Sequence, residues 1–429
     1  MNEIISASAT ELAQAILNRE VSAQAVVEAY LQRLAAVQPK LNAVTQLAPD
    51  SLARAQQADM DLAQGIVYGP LHGVPFTVKD VFNTVGLLSP LDKQLRRRAI
   101  PGQDATVVAR LREAGAILLA KTNCPPNGSG SDTENSVTGR TLNPYQLAHT
   151  PGGSSGGEAA LIAAGGSPFG LGSDASGGVR LPAHYCGLAA LKPTTGRLPN
   201  TGAYNQPGGL TDQRTQIGIL ARRVEDLAFV TSIMAGPDDV DSGVVPMPWR
   251  DPENVQLDKL NVAYFTADPT SPVTHETNRA VGSAMQAFAR VRITTEAARP
   301  DGLVHDSREI DELWQNMAGS TGRTNVEVVA LWDGFRTRLL QFMARYDAIL
   351  CPVDHHPAPP FRERDSRRFA YTIPFSLTGY PCAVVRVGTS ADGLPIGVQI
   401  VARPWREDVV LALATVLEKE FGGWQRAGF

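Results

Sequence analysis

PGGSSGGEAALIAAGGSPFGLGSDASGGVRLP, residues 151–182, is the stretch on which the fold turns. Its density of glycine, serine and alanine lets backbone amides approach a ligand closely. EAALIAA (158–164) has high helix propensity and begins directly after the glycines. The segment therefore predicts a loop feeding a helix N-terminus rather than a flexible linker.

Strand and helix patterns alternate around it. GVPFTVKDVF (73–82) reads as a strand, DATVVARLREAG (104–115) as a helix ended by Gly115, and AILLAKTN (116–123) as a strand. Units of this length predict an α/β fold with a central mixed, mostly parallel sheet covered by helices on both faces. The chain starts with a helical hairpin within residues 1–60. Ser8 and Glu11 form a capping-box pattern, and a second helix runs from Ser22 to about Val37 with Pro39 ending it.

Residues 236–260 lose periodicity to Pro, Gly and charge and read as a surface connection. Beyond it come a strand at 260–268, helices near 275–291 and 308–345, and a strand at 346–353. A Pro-rich loop, DHHPAPPFRERD (354–365), precedes strands at 382–388 and 395–402, and a last helix begins near Glu407. No fixed period repeats, so a solenoid is not expected. The whole of 1–429 is read as one domain.

Bulk composition narrows the function. Hydrophobic residues are 43% and charged residues 19% of the 429, as in a folded soluble protein rather than a disordered one. The net charge of -4, with basic residues dispersed apart from Arg96–Arg98, argues against a nucleic-acid partner. Four cysteines (Cys124, Cys186, Cys351 and Cys382) form no C-x-x-C pair, so neither a zinc site nor a disulfide framework is expected. The N-terminus lacks a signal-peptide pattern and no membrane-length apolar run follows, which predicts a cytoplasmic location and no membrane partner.

Several motifs compete over residues 152–178. GGSSGGE (152–158) opens like a phosphate loop but carries Glu158 where that loop needs lysine. GLGSDA (170–175) is a degenerate dinucleotide fingerprint without the acidic residue that should follow about twenty positions on. Ser154 and Ser155 each satisfy G-x-S-x-G, which keeps open an α/β-hydrolase esterase using His305, His355 or His356.

GPLHGVPFTVKD (69–80), residues 150–199 and GLPIGVQIVA (393–402) together resemble, in order and spacing, the amidase signature family of amide hydrolases. The resemblance covers almost the whole chain. It implies a Ser/cis-Ser/Lys triad in place of histidine chemistry, with Lys79 as the lysine and Ser154 as the bridging serine. The attacking serine should stand two residues before Arg180, twenty-four after Ser154, and that position is Gly178. Ala175, Ser176, Gly177 and Gly178 would form the oxyanion hole, with Asp174 and Arg180 anchoring the loop.

The chemistry explains the residue types. Amide hydrolysis needs an activated nucleophile, a proton for the leaving nitrogen and donors for the oxyanion. A lysine acts as base only when burial lowers its pKa from about 10.4. Gly178 supplies no hydroxyl, and losing one member of such a triad costs roughly 10⁴- to 10⁶-fold in turnover. Ser176 and Ser155 are candidate replacements, although Ser176 lies two residues upstream. The chain is therefore expected to be an impaired hydrolase of amides or carbamates (urethanes), or a non-catalytic amide-binding relative. The resemblance implies no metal or organic cofactor, and a homodimer is open. Residues 86–100 and 354–365 are candidate entrance loops.

Overall fold

The structure, a computed structural model, describes residues 3–92, 97–203, 214–316, 322–363, 365 and 367–428. Residues 93–96 of the first candidate entrance loop, Arg364 of the second, and part of the helical region at 308–345 lie outside the described residues.

The N-terminal signals act locally. The Ser8 hydroxyl accepts from the Glu11 N–H while the Glu11 carboxylate accepts from the Ser8 N–H, opening α1 (Ala9–Leu17). Helix α2 (Ala23–Leu41) continues through Pro39, which does not end it. Proline in the last turn removes only one of the final hydrogen bonds; Asn42, in the left-handed region, closes the helix by donating to the Gln38 carbonyl. The first 60 residues are more than a hairpin. They contain β1 (Val44–Leu47), which joins the central sheet, and most of α3 (Ser51–Ala63).

The remaining sheet strands are β2 (Pro75–Lys79), β3 (Ile117–Thr122), β4 (Phe169–Asp174), β5 (Ala189–Lys192) and β6 (Gln216–Ala221). They continue with β7 (Asn261–Tyr264), β8 (Thr294–Ala297), β9 (Ala348–Pro352), β10 (Cys382–Thr389) and β11 (Pro395–Ala402). The sheet has 11 strands in the order β1-β3-β2-β4-β6-β5-β10-β11-β9-β7-β8. It is mixed, but not mostly parallel. Only β2 with β3 and β4, and β7 with β8 and β9, pair in parallel; the other six neighbours are antiparallel. The β10–β11 connection is a short turn, too short for the crossover that parallel pairing needs.

Between strands lie α4 (Thr106–Glu113), α5 (Gly156–Ala163), α6 (Arg180–Cys186), α7 (Val224–Met234) and α8 (His275–Arg290). The expected single helical region after 308 is two helices, α9 (Leu303–Gln315) and α10 (Asn325–Met343), followed by α11 (Ile373–Leu377) and α12 (Glu407–Phe421). Every residue of β2, β3, β4, β6 and β11 is buried. Successive strand residues face opposite sides, so both faces of the sheet are covered. No helix among the described residues is long and apolar enough to cross a membrane.

Candidate active site

Three chain segments meet at the C-terminal ends of β2 and β4: Lys79 ends β2, the loop before α5 carries Ser154, and residues 175–179 link β4 to α6. The Lys79 side chain is fully buried and its Nζ donates to Ser154 Oγ (2.6 Å), Ser173 Oγ (2.9 Å) and the Gly128 carbonyl (3.3 Å). Burial, with no ion-pair partner among the described residues, pulls its pKa down to about 8, against the weaker opposing influence of Cys124 and Asp174. Asp80 does not serve Lys79; its carboxylate lies 2.7 Å from Lys121 Nζ.

The peptide bond Gly153–Ser154 is cis. A side chain at Gly153 would collide with backbone, its Cβ falling 2.5 Å from the Gly130 carbonyl and 2.8 Å from the Asp132 nitrogen. Thr133 ties this loop down, donating to the Gly152 carbonyl (2.8 Å) and accepting from the Gly156 N–H (3.1 Å). Ser155 is turned to other backbone: its N–H donates to Gly178 O (3.0 Å) and its Oγ accepts from the Ser173 N–H (3.4 Å).

The 175–178 loop is shaped by one buried carboxylate. Asp174 accepts from the N–H groups of Val179 and Arg180, each at 3.2 Å, and from the Arg180 guanidinium at 3.0 and 2.8 Å. Burial alone would raise the Asp174 pKa, but Arg180, together with Lys192 and the Val179 N–H, outweighs it and holds the carboxyl below its usual range. Arg180 also reaches Thr372 O (2.9 Å), Gln399 Oε1 (2.8 Å) and Ser376 Oγ (2.7 Å). The Thr372 hydroxyl donates to the Ser176 carbonyl. With those bonds made, no acceptor among the described residues engages the N–H groups of Ala175, Ser176, Gly177 or Gly178. Four successive free amides form a concentration of donors suited to an anion.

Gly178 stands directly against Ser154. A Cβ at 178 would lie 2.8 Å from Ser154 Oγ and 2.5 Å from the Ser173 carbonyl. Lys79, Ser154 and Gly178, far apart in sequence, thus meet at one point. Ser176 is only half-buried, and no hydrogen bond joins its hydroxyl to Lys79 or Ser154 among the described residues.

The histidine alternative finds no such geometry. His305 is exposed on α9 and bonds its neighbour Asp306. The Pro-rich loop does not leave both of its histidines at the surface: His355 is buried between Asp354 (2.8 Å) and Asp365 (2.7 Å), and its pKa rises because the two carboxylates outweigh burial. His356 Nδ1 bonds the Pro357 carbonyl. Asp354, His355 and His356 hold ligand atoms within 4.8 Å of one another. Tyr185, His355 and Asp365 already take up the Asp354 oxygens and both His355 nitrogens, so these side chains fasten the loop. Arg362 binds Glu134 and Arg368 binds Ser131 and Asp132, placing these two arginines on the 131–134 segment that packs against Gly153.

Sequence reading missed three contributors. Ser173 shares Lys79, Thr372 holds the free-amide loop, and Glu158, noted only for its misfit in a phosphate loop, is buried between the hydroxyls of Thr77 and Thr122. Only Glu158 offered a signal, as a charged residue at the head of an otherwise apolar helix. All four cysteines are free and buried.

The protein-family model named Amidase matches residues 25–305 and 307–411. An acylamidase of Rhodococcus erythropolis is 32% identical over 461 residues, covering 96% of this chain and 94% of that protein. The human fatty-acid amide hydrolase 2 is 30% identical over 475 residues, covering 97% of this chain and 89% of that protein. Among solved structures, 6-aminohexanoate cyclic dimer hydrolase complexed with substrate superposes with a TM-score of 0.86 at 27% identity, covering 99% of each chain.

Proposed function

Since this chain belongs to the amidase signature family of amide hydrolases, we propose that its site cleaves C–N bonds of small amides and carbamates, at a rate limited by Gly178. Lys79 is the base, Ser154 relays its proton, and the free amides of Ala175, Ser176, Gly177 and Gly178 receive the oxyanion. The carrying observation is the 2.6 Å bond from Lys79 Nζ to Ser154 Oγ, with Gly178 against that same oxygen. A hydroxyl at 178 would be the attacking group. Without it no acyl-enzyme forms at 178, and turnover is lowered roughly 10⁴- to 10⁶-fold.

The acylamidase and the cyclic dimer hydrolase support an amide substrate by their names; the carbamate class rests on the shared carbonyl chemistry. A second reading, an amide-binding protein without turnover, draws support from the Ser173 carbonyl. Its approach leaves less room than a side chain at 178 needs. Gly178→Ser separates the two. A folded variant that hydrolyses anilides or aryl carbamates far faster than the parent supports the hydrolase. A folded variant inactive on such a panel, with the parent binding anilides by calorimetry, supports the binding protein.

A further inference from the structure

We propose that His355 is a proton-operated clamp: bonded to two carboxylates at once, it closes residues 354–365 into a brace for the segment that leads into Ser154. The inference concerns the loop that carries Ser154 and stands whether that loop turns an amide over or only binds it. His355 Nδ1 lies 2.8 Å from Asp354 Oδ1 and Nε2 lies 2.7 Å from Asp365 Oδ2, so the ring joins the two ends of the loop. A neutral imidazole has one N–H and one lone pair. It can serve one carboxylate and must turn its lone pair on the other. Only the imidazolium donates to both.

The groups around the ring agree on where the positive charge belongs. Asp354 is fully buried, and its other oxygen accepts from the Tyr185 hydroxyl. His356, with its ring centroid 4.0 Å from that of His355, commits Nδ1 to the Pro357 carbonyl and keeps Nε2 buried without a partner, as a neutral ring does. Asp365 is shared with the Arg367 guanidinium at 2.7 and 3.1 Å. From α6, Tyr185 and His184 face Asp354, and Arg368 and Asp132 lie beyond Tyr185. His355 is therefore the only cation bonded to Asp354 among the described residues. Burial would lower its pKa, but Asp354 and Asp365 outweigh burial and raise it above the unfolded value of about 6.5. The clamp's stabilisation is thus complete below about 6.5 and is lost as pH rises through the folded value.

Between the clamped ends, the loop is bonded to the chain just before the cis-serine. The Pro359 carbonyl accepts from the Thr150 N–H (3.1 Å), the Phe361 N–H donates to the Ala148 carbonyl (3.1 Å), and His149 pairs with Pro360 in an antiparallel bridge. Thr150 passes the hold onward, its hydroxyl accepting from the Gly152 N–H at 3.0 Å. The Tyr185 ring closes the other side, since a Cβ at Gly152 would fall 3.1 Å from its Cδ2. The braced loop and the hydroxyl partner of Asp354 therefore converge on the turn at Gly152, two residues before Ser154.

The test is hydrogen exchange of the full chain read by peptide mass from about pH 6 to about pH 9.5, corrected for the intrinsic pH dependence of exchange. Peptides over 354–363 and 148–157 should lose protection together as pH rises, by roughly tenfold or more, while 216–221 in β6 does not follow. The closed loop stays the major form throughout, so the rise of activity with Lys79 deprotonation is not displaced. Asp365→Asn keeps an oxygen for Arg367 and offers an N–H to the Nε2 lone pair, which satisfies a neutral imidazole. Its protection should no longer fall with pH. His355→Phe keeps a ring without donors and should show the weakened protection in both segments already at pH 6. Protection that is flat with pH in the parent, or that falls equally in the parent and Asp365→Asn, overturns the clamp. Loosening of 354–363 with 148–157 unchanged overturns the brace. If His355→Phe does not fold, the parent and Asp365→Asn decide the inference.

Discussion

Lys79 Nζ lies 2.6 Å from Ser154 Oγ, while the carboxylate adjacent to Lys79 in sequence, Asp80, is paired with Lys121. The buried amine thus faces hydroxyls and a carbonyl instead of a counter-charge, which is the condition for a lysine that can shed its proton.

Activity should therefore rise with pH through about 8, where Lys79 becomes neutral, and level off above it. Lys79→Arg, which stays protonated, should lose at least roughly 10²-fold in turnover. The stability sign follows from the same shift. Between about 8 and about 10.4 the unfolded chain binds the proton that the folded chain has lost, so the contribution of Lys79 to stability increases with pH in that window. Urea unfolding of parent and Lys79→Met across pH 7–10 checks it; identical pH slopes would contradict the shift.

Glu158 moves in the opposite direction. Burial between Thr77 and Thr122 raises its pKa to about 8 despite their hydrogen bonds, so the folded protein holds a proton that the unfolded chain releases above about 4.3. Stability from this group is complete at low pH and is lost as pH rises through about 8. Glu158→Gln keeps the hydrogen-bonding shape and should flatten the fall of Tm between pH 6 and pH 9. A parent and variant falling in parallel would show that Glu158 is ionised throughout.

Asp174 and Arg180 are both fully buried and bonded through two guanidinium nitrogens. Arg180→Met leaves an unpaired buried carboxylate, which typically costs about 3–5 kcal/mol. Denaturant titration should place the loss in that range; a loss below about 1 kcal/mol would mean that the 174–180 loop stands without this pair.

Thr372→Val removes the hydroxyl that holds the Ser176 carbonyl and changes little else in shape. One lost hydrogen bond costs roughly 0.5–1.5 kcal/mol of stability, while a loosened amide loop should lower kcat more than it alters KM. An unchanged kcat would exclude Thr372 as a positioning residue.

His305→Ala and His356→Ala should each leave anilide turnover within about twofold, because neither imidazole bonds Ser154 or Ser155. Loss of activity in either would restore the histidine-based esterase and remove Lys79 from its role.

The amino-acid sequence by itself determined the features whose physics is local. The Ser8–Glu11 cap joins residues three positions apart, the helix of 156–163 follows from its alanines, and the glycines of 152–157 and 177–178 mark where backbone must come close. The resemblance of three segments was enough to point to Lys79, Ser154 and Gly178. Tertiary structure alone decided strand direction, since pairing depends on how long each connection is and where it returns, and six antiparallel pairs against four parallel ones emerged where a mixed but mostly parallel sheet was expected. It also decided the charges and partners at the centre. Lys79 takes Ser173 from 94 residues away and Ser176 is held by Thr372 across 196. Burial sets the proton affinities of Lys79 and Glu158, because desolvation depends on what the folded chain brings around a group, and no pattern of neighbours along the chain encodes that.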